Sequence, residues 1–362
     1  MQKIMILANN SGGLYNFRRQ LMQALLDEGI RIDAYTPFSS RVDEMKEMGI
    51  HLMETPMDRR GMNPIHDLKL FRLYRHEMKK QQPDYVITYT IKPDIYGGLA
   101  ARLRHIPYAL NITGAGTAFQ KDGLLKNMVR ILFRTAAKKA KVVFFENKSD
   151  RQLFVDEKIV NEKQTVVLHG AGVDLEYFSR MDYPKTEEPF IFLFVGRVMK
   201  EKGADELFAA MRKLKVEKCK CKLVIVGFME EDYREIIEQG EKEGWLEFAG
   251  FDPEVRPYIQ KAHCAVLPSY HEGMSNTNLE CAACGRPLIT SDIPGCREAM
   301  IDGETGLLCQ PKDAESLYNT MKTMITLSAE ERERMGKAGR KHMEKEFDKK
   351  AVVEETIQHI KQ

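Results

Sequence analysis

The feature that most constrains this chain is an alternation, repeated twice, of short apolar runs with longer helical patterns. Residues 3–8 read as a buried strand, 9–13 as a small-residue turn, and the following stretch as a helix ending near Asp27, Glu28 and Gly29. Runs at 30–35, 84–89, 142–146 and 165–168 continue the series, with a basic helical stretch at 67–80. After the polar, proline-containing segment 181–189 a second series begins, at 190–195, 222–226, 246–249, 264–267, 287–290 and 306–309. Strands that alternate with helices form parallel sheets covered on both faces, because each parallel crossover needs a helix. The expected fold class is therefore α/β, with two Rossmann-like, doubly wound parallel-sheet domains facing across a cleft. The expected divisions are 1–180, 181–345 and a C-terminal helix, 346–362, packing back on the first domain. Ser328 and Glu331 fit a capping box at the start of one late helix.

Composition narrows the class. With 362 residues, 43% hydrophobic and 30% charged, the chain is neither disordered, collagen-like nor a disulfide mini-protein. Its apolar stretches fall far short of the roughly 20 residues of a spanning helix, and the opening residues lack an export-type apolar core and cleavage site. All seven cysteines lie in the second half with no His at metal-ligand spacing. Cys281 and Cys284, inside a helix-like apolar segment, read as reduced core thiols rather than a zinc or redox pair, which points to a reducing cytosol.

The net charge of +2 hides an asymmetry: residues 1–180 hold 28 Lys+Arg against 20 Asp+Glu (+8), leaving 27 against 33 (−6) in 181–362. A basic first half suits an anionic partner, either a membrane surface or a phosphate-bearing substrate; scattered solubilising charge is the alternative.

Two nucleotide motifs are missing. Gly114 and Gly116 lack the third glycine of G-x-G-x-x-G, and no G-x-x-x-x-G-K-[ST] occurs, so dehydrogenase and P-loop readings lose their support. The second half carries another constellation. Gly196 and Arg197 end one strand, and Lys202 and Gly203 follow before a helix. An Arg fork and a Lys point charge on one strand-end turn would converge on a diphosphate. Glu272, Gly273, Met274, Ser275 and Asn276 then lead into a helix through Glu280, where free amides at residues 273–276 would make an anion site. Eight residues at the helical rise are about 12 Å, a separation suiting a hexose at one end of a nucleotide sugar and a ribose at the other. E-x7-E alone is weak; together with G-R-x4-K-G upstream it is specific.

These residues, with Gly12 and Gly13 after the first strand, Gly170 to Asp174, and Gly285, Arg286 and Pro287, resemble the family 4 glycosyltransferases of the GT-B fold, along nearly the whole chain. Within that family the sequence is most similar to bacterial enzymes that extend undecaprenyl-diphosphate-linked sugars for capsule, O-antigen or glycoprotein assembly. The resemblance implies that Arg197 and Lys202 hold the donor diphosphate as it leaves and that Glu280 accepts from the ribose hydroxyls. It implies that Glu272 contacts hydroxyls of the transferred sugar, helped by the amides of Gly273, Met274 and Ser275. Gly12 and Gly13 would let backbone approach the phosphate or acceptor. Where the family often has a His in the first-domain loop, this chain has Asn111 to Thr117, leaving Thr113, Gly114 and also Lys92 as loop candidates on the acceptor side. His169 and His271 read as structural. No Asp-x-Asp occurs, so no metal and no cofactor beyond the donor is expected.

Lys126, Arg130, Arg134 and Lys138 recur every four residues, a basic ridge on an otherwise apolar helix. Each would contribute about 1 kcal/mol at an anionic surface, roughly 4 together; a core-packed helix with a solvated edge is the alternative. The expected activity is retaining transfer of a hexose or N-acetylhexosamine from a UDP-sugar to a hydroxyl of a polyprenyl-diphosphate-linked saccharide. The setting is the cytoplasm, peripheral on the inner face of the plasma membrane, with no nucleic-acid partner. A sugar-nucleotide epimerase of the same fold and a non-catalytic nucleotide-sugar-binding protein are the competing readings.

Overall fold

Strands buried on both faces must send alternate side chains to opposite sides, and the first strand does so. Ile4 and Ile6 join one core layer while Met5 and Leu7 join the other, all four fully buried. The structure, a computed structural model, describes residues 1–58, 63–114, 124–185 and 189–362, the side chains of 124–126 excepted. It comprises two units, Met1–Ala171 with Lys350–Gln362, and Gly172–Lys349.

Among the described residues the first unit has a seven-stranded sheet: β1 (Lys3–Leu7), β2 (Arg31–Thr36), β3 (His51–Glu54), β4 (Tyr85–Tyr89), β5 (Tyr108–Ile112), β6 (Val142–Phe145) and β7 (Thr165–Val167), in the order β3-β2-β1-β4-β5-β6-β7. Every pairing is parallel. Leu21, Met22 and Leu25 of the helix Ser11–Asp27, with Val352 and Ile360 of the helix Lys349–Lys361, cover one face; Leu70, Tyr74, Met78 and Phe133 cover the other.

The second unit has a six-stranded parallel sheet: β8 (Phe190–Val195), β9 (Cys221–Val226), β10 (Leu246–Gly250), β11 (Cys264–Leu267), β12 (Leu288–Ser291) and β13 (Gly306–Cys309), in the order β10-β9-β8-β11-β12-β13. Phe190, Phe192 and Phe194 pack against Leu207, Met211 and Met321 on one side, and Leu193, Val224 and Val226 against Leu279, Ala282 and Met343 on the other. Both units are thus doubly wound α/β sheets, as the alternation in the sequence predicts.

The differences from the sequence reading have local causes. β3 is an edge strand with polar, exposed residues, and β5 is a short run broken by Asn111, so neither stands out as a continuous apolar stretch. The turn expected over 9–13 is mostly helix, because Asn10 caps a helix that begins at Ser11. Residues 172–180, expected in the first domain, belong to the second unit: the Val173 amide donates to the Phe347 carbonyl (2.8 Å), and Arg340 Nη1 donates to the Phe178 carbonyl (2.8 Å). The Ser328–Glu331 capping box is formed, and all seven cysteines are free, Cys281 and Cys284 buried.

Candidate functional site

Ligands of open parallel sheets bind beyond the carboxyl ends of the strands, where the winding reverses. In the second unit that point lies between β8 and β11. From β8 the chain runs through Gly196 and Arg197 to a single turn, Lys200–Lys202, ahead of the helix Ala204–Val216. Gly203 joins the two at a φ of 75°, and a Cβ there would lie 2.1 Å from the Pro268 carbonyl oxygen. Only glycine lets this turn press on the loop after β11. The approach brings Lys202 to Glu272: the ammonium donates to Glu272 Oε1, and Ser269 Oγ donates to the same oxygen at 2.7 Å.

Glu272 is held from behind by the loop after β12. The Ser275 amide donates to the Gly295 carbonyl at 2.9 Å, and a Cβ on Gly295 (φ 76°) would come within 2.4 Å of the Gly273 carbonyl oxygen. Ser275 caps the helix Asn276–Ala283 by accepting from the Asn278 amide (3.3 Å). Thr277 Oγ1 donates to the Val195 carbonyl (3.1 Å), fixing that helix to the end of β8. The helix N-terminus, Lys202 and Glu272 are therefore gathered at the ends of β8 and β11.

Two expectations need correction. The Ser275 amide is bonded to Gly295 and is not available to an anion. The interval from Glu272 to Glu280 is helical only from Asn276, so the 12 Å spacing computed for a continuous helix does not describe it. Arg197 and Lys202 are each held by a carboxylate of its own: the Lys202 ammonium donates to Glu272, and Arg197 Nη1 donates to Glu230 Oε2 at 3.0 Å, on the β9 side. Met274 is buried in the core, leaving only its backbone for a ligand. Sequence reading passed over Glu230 and Gly295. Pro294-Gly295 was the available signal, a turn dipeptide at a strand end. Phe228 and Phe251 were also passed over; their exposed rings lie 6.2 Å apart just beyond β9 and β10, with the Phe228 carbonyl accepting from the Val198 amide (3.0 Å).

Glu280 lies partly buried on the capped helix, and no described side chain hydrogen-bonds its carboxylate. Burial raises its pKa from 4.5 to about 7, against the opposing charge of Lys349. A carboxyl whose pKa is higher folded than unfolded stabilises the fold fully below about 4.5, and that contribution is lost as pH climbs through about 7. The Glu280→Gln variant is therefore expected to melt above wild type at pH 8, by of order 1–3 kcal/mol, with the two converging at pH 5. Parallel melting curves at both pH values would contradict this.

In the first unit the residues singled out are engaged. The Gly13 amide donates to Asn10 Oδ1 (2.5 Å) and the Gly12 amide to Ser39 Oγ (3.2 Å). Lys92 Nζ is 2.7 Å from Asp67 Oδ1, and Tyr96 donates to the other oxygen at 2.9 Å. Thr113 and Gly114 follow β5; residues 115–123, including Gly116 and Thr117, and the Lys126 side chain lie outside the described residues. The basic ridge is partly spent within the unit: Arg130 Nε pairs with Glu157 Oε2 (2.7 Å), and Arg134 donates to the Glu157 carbonyl (2.8 Å). Lys138 stands exposed one residue past the helix Leu124–Ala137, whose outer face also shows Met128 (51% exposed) and Ile131 (62%). Among the described residues no three His, Cys, Asp or Glu side chains gather to hold a metal, and no helix is long and apolar enough to cross a membrane.

Residues 178–342 match the family model "Glycosyl transferases group 1", and residues 3–147 match "Glycosyl transferase 4-like". The chain is 25% identical over 340 residues, 89% of each protein, to the N,N'-diacetylbacillosaminyl-diphospho-undecaprenol alpha-1,3-N-acetylgalactosaminyltransferase of Campylobacter jejuni. It is 23% identical to the capsular polysaccharide biosynthesis glycosyltransferase CapM of Staphylococcus aureus, covering 88% of this chain and 87% of that protein. Its fold is similar to that of Anabaena HepE, solved with UDP and glucose, at a TM-score of 0.81 with 16% identity and full coverage of both chains.

Proposed function

The chain belongs to the family 4 glycosyltransferases of the GT-B fold, and on that premise we propose that it transfers a hexose or N-acetylhexosamine from a UDP-sugar to a hydroxyl of a polyprenyl-diphosphate-linked saccharide, with retention of configuration. The observation that carries the proposal is the grouping at the β8–β11 reversal: Lys202 and Glu272 in contact, a capped helix beside them, and on that helix the Glu280 carboxylate, to which no described side chain hydrogen-bonds. The acceptor class is taken from the C. jejuni relative, whose name specifies a diphospho-undecaprenol sugar.

In the proposed reaction the bond between the anomeric carbon and the leaving phosphate oxygen breaks as the acceptor oxygen bonds to the same face. The acceptor proton passes to that phosphate oxygen, so no enzymic nucleophile is used. Lys202 moves from Glu272 to the diphosphate, and Arg197 from Glu230; their charge and the helix N-terminus stabilise the negative charge that grows on the leaving group, without a metal. Glu272, released from Lys202, accepts from hydroxyls of the transferred sugar, Glu280 accepts from the ribose, and Phe228 and Phe251 offer ring surface to the base. A screen of nucleotide sugars by thermal shift, followed by transfer from the best of them to a synthetic polyprenyl-diphosphate sugar, tests the proposal. Failure of every UDP-sugar to stabilise the protein would refute it.

We also propose that the helix Leu124–Ala137 docks on the anionic cytoplasmic leaflet, through Met128 and Ile131 as much as through charge. Burying an Ile or Met side chain contributes about 1.5–3 kcal/mol, against about 1 for each of Arg134 and Lys138. Met128→Asp with Ile131→Asp is expected to lower sedimentation with anionic vesicles at least tenfold, and Lys138→Glu only several-fold. Equal binding by wild type and the double variant would contradict this docking face.

A further inference from the structure

We propose that the first unit carries a saccharide subsite formed by Arg18, Glu146 and Tyr89, which binds hydroxyls of the acceptor sugar; the inference rests on the glycosyltransferase reading and deepens it. The first sheet reverses its winding between β1 and β4, so its own ligand crevice opens at the carboxyl ends of those strands. Three elements bring polar side chains to that end of the sheet. The helix after β1 contributes Arg18, Tyr89 is the last residue of β4, and Glu146 follows β6 directly. The Arg18 guanidinium lies 4.9 Å from the centroid of the Tyr89 ring and donates to Glu146 Oε1 at 2.8 Å. Arg18 and Glu146 keep 11% and 12% exposure, so the pair is reachable yet largely desolvated.

Tyr89 is 4% exposed, and its buried hydroxyl has no hydrogen-bond partner among the described residues. Burial pushes this phenol up to about 12, so it remains a donor at any working pH. The next residue, Thr90, has a φ of 77°, a region β-branched side chains avoid, and its buried hydroxyl is likewise unbonded among the described residues. Unbonded hydroxyls and a strained turn cost stability, and they stand together where a ligand crevice opens.

The chemistry favours hydroxyls over phosphate. Arg18 is already held by a carboxylate whose charge would repel an incoming anion, and Lys92 is bound to Asp67. A Glu–Arg pair instead presents acceptors and donors side by side, matching neighbouring hydroxyls of a neutral sugar.

Saturation-transfer NMR on the full chain, with farnesyl-diphosphate-linked N-acetylglucosamine as the probe, tests this in wild type, Arg18→Lys and Glu146→Gln; UDP titration of each runs in parallel. Wild type is expected to transfer magnetisation to the sugar-ring protons. Both variants are expected to bind the sugar at least tenfold more weakly, with UDP affinity within twofold of wild type. Equal sugar contact in all three proteins, or none in wild type, overturns the subsite. So does a lowered melting temperature with sugar contact intact, which would make the pair a structural tie. If wild type fails to bind UDP while the variants lose sugar contact, the transferase reading of the second unit falls and the subsite stands.

Discussion

Glu272→Ala is expected to reduce transfer by about 1000-fold while leaving UDP affinity equal to or tighter than wild type. In the proposed reaction the carboxylate meets hydroxyls of the transferred sugar, a part of the donor that UDP lacks. Its present partners are Lys202 and Ser269. Truncation frees the ammonium for the diphosphate, so product binding does not suffer. A largely buried cation loses its partner, and the melting point should fall accordingly, by about 1–3 kcal/mol in stability. Glu272→Gln keeps the shape and a hydrogen-bonding oxygen, so it separates that structural cost from the chemical one: it should melt near wild type yet still lose most activity. Near wild-type transfer by the Ala variant would refute the role assigned to Glu272.

Arg197→Ala is expected to weaken UDP and nucleotide-sugar binding alike, by roughly 10–100-fold, the worth of a hydrogen bond to a charged group. The fold should be almost indifferent, because the Arg197–Glu230 pair is solvent-accessible and such pairs contribute about 0–1 kcal/mol. The same geometry gives an opposite expectation for Glu230→Gln. Removing the carboxylate that holds Arg197 leaves the guanidinium free for phosphate, so UDP should bind as tightly as in wild type or more tightly. If both substitutions weaken UDP equally, the pair acts as a unit and Arg197 does not exchange Glu230 for the diphosphate.

Much of this architecture is legible in the sequence because parallel strands buried on both faces leave continuous apolar runs, as at Ile4 to Leu7 and Phe190 to Val195. β3 and β5 are not legible, one for its exposure at the edge and the other because a buried Asn111 interrupts it; that Asn donates to the Thr88 carbonyl at 3.0 Å, a pairing only the fold reveals. The site shows the same division. Spacing and residue type lead to Arg197, Lys202, Glu272 and Glu280. They cannot show that each cation already has a carboxylate, since Glu230 lies 33 positions from Arg197 and Glu272 lies 70 from Lys202. Nor can they show that Gly295, from a third strand end, occupies the Ser275 amide. Tertiary partners decide which polar groups remain for a ligand, and local sequence carries no record of them.

The most direct measurement is a crystal structure of the second unit's site in the full chain soaked with UDP. The account predicts diphosphate oxygens within hydrogen-bond distance of Lys202 Nζ and the Arg197 guanidinium, with both cations released from Glu272 and Glu230, and the ribose hydroxyls on the Glu280 carboxylate. UDP bound away from the β8–β11 reversal, or bound there with Glu280 untouched and both ion pairs intact, would contradict it.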